Sequence, residues 1–112
     1  MELLMSIVLN LGEDEFYRVN RYETHLAVAL INSDDKSIFS NIEKNIRQTD
    51  IVQQLDSNLI VVFLTHTDYE ASLKCIEKVQ RRVDFTYTIA EYRDSRIEFI
   101  EKLFSDNKEK LI

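Results

Sequence analysis

The 112-residue chain has no proline, no tryptophan, one glycine (Gly12) and one cysteine (Cys75). Without glycine-rich turns the backbone cannot close around a phosphate, which excludes P-loop and dinucleotide-binding readings. Flexible linkers are missing for the same compositional reason. A single cysteine forbids an intrachain disulfide and fits a reducing cytoplasm. No apolar run approaches the roughly 18 residues that cross a bilayer, so membrane insertion is not expected. Positive charge is scarce too: 14 Lys and Arg stand against 20 Asp and Glu, a net charge of −6. Arg81-Arg82 is too short a basic cluster to reverse that balance. Nucleic acid is therefore not expected as a partner, since phosphate backbones need a concentrated basic face, and anionic lipid is disfavoured as well.

With 45% hydrophobic residues, the chain has material for one core and one domain, spanning residues 1–112. Residues 1–11 (MELLMSIVLNL) are apolar, but they lack a basic leader and carry Glu2, so they make a poor signal peptide. They read as a helix end, an added strand or an oligomer contact. The 1–12 extension holds eight apolar residues that need cover, which predicts self-association through it. Residues 13–22 (EDEFYRVNRY) suit a short amphipathic helix, whose Phe16, Tyr17 and Tyr22 belong either to the core or to a dimer seam.

Residues 26–31 (LAVALI) have the length and continuity of a strand buried on both faces. After turn-forming residues 32–37, Ile38, Ile42 and Ile46 recur every four positions, predicting a helix that ends near residues 47–50. Residues 51–55 and 59–64 read as strands joined by Asp56-Ser57-Asn58, a three-residue hairpin loop with Asn58 suited to a left-handed conformation. Thr67 to Glu70 and Ser95 to Glu98 each have the spacing of a capping box. The helices they open carry apolar stripes, Leu73, Ile76, Val79 and Val83 in one and Ile97, Ile100, Phe104 and Leu111 in the other. Between them, residues 85–92 (FTYTIAEY) read as a strand. The predicted class is α+β. Its core is a ferredoxin-like βαββαβ unit with one antiparallel-containing sheet, helices on one face, and extra N-terminal and C-terminal helices.

Residues 47–64 (RQTDIVQQLDSNLIVVFL) resemble the GGDEF (diguanylate cyclase-type) family, in which Arg-x-x-Asp precedes a strand, a signature hairpin and an apolar strand. Arg47 and Asp50 match the Arg-x-x-Asp pair, and Asp56, Ser57, Asn58, Leu59 and Ile60 occupy the signature region. Glu15, Arg18, Arg21 and Tyr22 look like the family's leading helix. Glu70-Ala71 and Glu77-Lys78 fit further along, so the resemblance covers about residues 15 to 107. It implies a nucleotide-cyclase-like fold. In cyclases of the family, carboxylates hold two divalent ions for charge-stabilised phosphoryl transfer.

This chain departs from that pattern. Asn32 stands where the first strand would supply a carboxylate, which leaves Asp34 as a weak metal candidate. Asp56 and Ser57 replace the two glycines, and Asn58 and Leu59 replace the acidic pair. The segment between Asp34 and Arg47 has room for one helix, so the guanine-reading part is missing. The resemblance therefore implies a degenerate, catalytically inactive domain with no cofactor, acting in cytoplasmic bacterial signalling by regulation, protein interaction or dimerisation. The alternative is a cyclic di-GMP receptor using Arg47, Asp50 and Lys78 like the family's inhibitory site. Set against it is a plain Arg–Asp pair one helical turn apart. An unrecognised enzyme would have to use His25, His66, Cys75 or Ser57. None of these has a metal-ligand or nucleophile partner at the required spacing.

Overall fold

The computed structural model describes residues 2–110. The chain runs α1 (Glu2–Leu11), α2 (Glu13–Tyr22), β1 (Leu26–Asn32), α3 (Ile38–Glu43), β2 (Ile51–Asp56), β3 (Leu59–Thr65), α4 (Tyr69–Gln80), β4 (Thr86–Glu91) and α5 (Arg96–Lys110). The strands form one antiparallel sheet in the order β2-β3-β1-β4, the ferredoxin-like order for a βαββαβ chain. β1 lies between β3 and β4, with Leu26 opposite Thr65, Asn32 opposite Leu59, and Ala27 opposite Glu91.

Side chains of the two central strands alternate between two cores. Val28, Leu30, Leu59, Val61 and Phe63 face one way, onto Val8, Phe16, Val19, Tyr92, Ile100, Leu103 and Phe104. Ala27, Ala29, Ile31, Ile60, Val62 and Leu64 face the other, onto Ile38, Ile42, Ile76, Val79, Val83 and Phe85. The sheet is thus covered on both faces: the two helices of the βαββαβ unit, α3 and α4, share one face as expected, and the extra helices α1, α2 and α5 cover the other. The reason is visible in β1 and β3: a strand apolar on both sides needs two layers of cover.

The apolar N-terminal stretch is a helix. Val8 is buried, and Leu4, Met5, Leu9 and Leu11 pack on the core beside α5 and α2, so much of its cover comes from within the chain. Gly12 joins α1 to α2 and keeps the hydrogen bonding helical, donating to Val8 O at 3.0 Å and accepting from Phe16 N at 2.9 Å. Its φ is −95°, so no unusual backbone requires glycine here. Space does: a Cβ would lie 2.3 Å from Phe63 Cε2 and 2.9 Å from Phe16 Cε2.

Other expectations are corrected in detail. The β2–β3 turn contains Ser57 and Asn58 only, because Asp56 pairs with Leu59 after a bulge between Gln54 and Asp56. Among the described residues positive φ falls on Glu23 and His66, not on Asn58. The α4 cap is Asp68, one residue after Thr67, and accepts from Ala71 N at 2.8 Å. α3 stops at Glu43, short of Ile46. In α5, Leu103 and Asn107 join Ile100 and Phe104 on the buried face, while Ile97 is 55% exposed; Leu111 lies outside the described residues. Phe16 belongs to the core, whereas Tyr17 and Tyr22 are exposed.

Candidate functional site

The end of β1 and the β2–β3 turn meet. Ser33 N donates to Asn58 O at 3.1 Å, and Asn32 lies opposite Leu59. Around this junction the side chains are committed to structure. Asn32 Oδ1 accepts from Asn107 Nδ2 at 2.7 Å, and the same amide reaches Thr88 Oγ1 at 3.2 Å. Asn107 is buried on α5 and Thr88 is buried on β4. The amide at the first-strand end therefore ties the sheet to the last helix. Asn107 escaped the sequence reading, although a lone amide within the apolar stripe of α5 was the available signal.

Asp34 is exposed beside Asp35. Asp35 accepts from Ser37 Oγ at 2.7 Å and from Ser37 N at 2.8 Å, and these bonds, the hydroxyl's foremost, hold its carboxyl below the usual carboxylate range. At the turn, Asp56 Oδ1 accepts from Ser57 N at 2.7 Å. Leu59 and Ile60 are core residues on opposite faces of β3. Among the described residues no group of three or more His, Cys, Asp and Glu side chains comes together as a cation site. The side chains at this junction do not fit a two-ion centre: the Asn32 amide is already engaged with Asn107 and Leu59 is buried, and neither supplies a carboxylate for a hard cation.

Arg47 and Asp50 do meet, but as a clamp. Asp50, whose side chain is 2% exposed, accepts from Thr65 N at 2.9 Å, Arg47 N at 2.9 Å and Thr65 Oγ1 at 3.2 Å. Arg47 Nη2 donates to Thr65 O, to Thr67 Oγ1 at 2.9 Å and to Asp50 Oδ1 at 3.4 Å. The pair joins the turn before β2 to the end of β3. Lys78 is exposed on α4. It flanks half-buried Cys75, whose thiol is pushed up mainly by burial and next by the Asp50 charge, against the opposing pull of Lys78 and Arg47.

His25 Nδ1 lies 2.7 Å from Glu91 Oε2, and Glu91 Oε1 accepts from Tyr69 N at 2.9 Å, so this histidine secures the start of α4 through Glu91. One surface concavity, of about 450 Å³, is lined by Tyr69, Leu73, Tyr87, Asp106, Glu109 and Lys110 and does not include Arg47, Asp50 or Lys78. No helix among the described residues is long and apolar enough to cross a membrane.

No protein-family model matches the chain, and no curated protein matches it. Solved structures do. A DGC protein from Thermotoga maritima superposes with a TM-score of 0.68 at 15% identity, over 93% of this chain and 91% of that one. The diguanylate cyclase SiaD of Pseudomonas aeruginosa, solved with its activator SiaC, superposes with a TM-score of 0.73 at 14% identity. That match takes in 94% of this chain and 54% of SiaD, so the chain spans about half of SiaD's length. These neighbours are diguanylate cyclases, and the four-stranded sheet with its helices is the fold this chain shares with them. At such identities the likeness establishes the fold alone.

Proposed function

We propose that this chain is a single non-catalytic regulatory or interaction domain, cytoplasmic, in a bacterial signalling system. The observation that carries the proposal is the bond between Asn32 and Asn107. The position that would supply a metal-binding carboxylate instead holds α5 against the sheet. A cyclase must hold metal ions against a triphosphate near this junction. Here the end of β2 offers Asp56, the turn offers Ser57 and Asn58, and the next position is a buried leucine. The architecture meanwhile keeps both sheet faces covered, which suits a domain that acts through its surface. SiaD, a protein of this fold, is held in complex with an activator protein, which supports a protein partner for this one.

Recognition of cyclic di-GMP through Arg47, Asp50 and Lys78 has less support. The Asp50 oxygens that would accept from guanine are already taken by Thr65 and Arg47.

The test is to incubate the purified chain with GTP and Mg²⁺ and to look for cyclic di-GMP by chromatography. No product is expected, and Asn32→Asp, which restores one carboxylate, is expected to gain none. Product formation that disappears in Asp34→Ala would overturn the proposal.

A further inference from the structure

We infer that the seam between α1 and α5 is where two copies of this chain pair, with Glu101 of each copy against the partner's Lys108. This deepens the interaction reading by naming the partner as a second copy. Met5 of α1 lies between two adjoining grooves. One, of about 300 Å³, is lined by Leu9, Ile97 and Ile100 with Glu101 at its margin. The other, of about 240 Å³, is lined by Glu101, Phe104, Ser105 and Lys108. Ile97 is 55% exposed at this seam. α1 has one charged residue, Glu2, in ten, and a helix apolar on most sides calls for cover on more than one.

Charge selects the occupant. Glu101 and Lys108 are both exposed, and neither has an ion-pair partner among the described residues, whereas Lys102 on the same helix is paired with Asp106. Seven residues make two turns, so the two charges share one stripe of α5 about 10 Å apart. An antiparallel crossing of two α5 helices, with its two-fold axis between residues 104 and 105, sets Glu101 against the partner's Lys108. The same symmetry sets Lys108 against the partner's Glu101, which makes the stripe self-complementary. Ser105 is small enough at the crossing to let the helices approach, and half-buried Met5 supplies apolar contact beside it.

Helices of 10 and 15 residues expose a face about 20 Å on a side, roughly 400 Å² and so about half of the ~800 Å² per partner of a standard interface, and a weak dimer is expected.

Sedimentation equilibrium on the full chain tests this with four proteins: wild type, Glu101→Lys, Lys108→Glu and the double swap. Wild type is expected to dimerise. Each single variant places like charges at both symmetric contacts and should weaken the dimer by about tenfold or more, whereas the double swap restores opposite charges and should recover it. Both residues are exposed, and circular dichroism checks that the fold is retained. A wild type that stays monomeric at millimolar concentration would overturn the inference. So would a dimer indifferent to the single variants, or one that the double swap fails to rescue. None of these outcomes bears on the absence of catalysis, which the GTP experiment decides separately.

Discussion

Two residues illustrate how a single side chain is constrained here. Gly12 is the only glycine, and the contact of its would-be Cβ with the Phe63 ring explains it. Phe63 is fully buried and stacks edge-on to Phe16 at 5.9 Å, so it cannot yield freely. Gly12→Ala is expected to destabilise the fold by about 1–3 kcal/mol, read from urea unfolding. An unchanged midpoint would mean that the ring moves aside at no cost. Asn107 is the second case, a polar group buried because Asn32 and Thr88 satisfy it. Its meaning depends on a residue 75 positions away. No local pattern exposes that, although the amide's place in the apolar stripe marks it as unusual.

At the scale of elements, the Arg47–Asp50 clamp joins the entry of β2 to the end of β3. The two residues contribute unequally: Asp50 is enclosed and receives backbone donors, while Arg47 is 56% exposed. Asp50→Ala leaves Thr65 N–H unpaired in a partly buried setting and is expected to cost roughly 3 kcal/mol. Arg47→Ala removes an exposed, solvent-screened partner and is expected to cost about 1 kcal/mol or less. Thermal unfolding of the two variants measures the difference. Equal losses would point to an Arg47 role beyond the clamp. The Arg-x-x-Asp spacing was legible in the sequence. Its use was not, because the acceptors of Asp50 are filled by Thr65, which only strand pairing brings near. The capping boxes show the same limit. Asp68, not Thr67, caps α4, since Thr67 Oγ1 is engaged with Thr65 O and Arg47.

At the scale of the molecule, β1 and β3 form the middle of the sheet and are shielded by helices on both sides. Their amides should exchange slowest with solvent deuterium, near the limit set by global unfolding. The β2–β3 turn and the six-residue α3 should exchange fastest. Hydrogen-exchange mass spectrometry checks this, and early exchange in β1 would contradict the layered arrangement. Periodicity within the chain was enough to determine the order of strands and helices, the βαββαβ core and its antiparallel class, because hydrophobic spacing and turn chemistry act over a few neighbouring residues. Only the tertiary structure decided that the N-terminal apolar stretch is a helix under α5, and that the sheet is covered twice. It likewise decided that Asn32 is spent on Asn107 and that Gly12 makes room for Phe63. Each of these depends on groups far apart in sequence meeting at van der Waals or hydrogen-bond distance, which a local pattern does not encode.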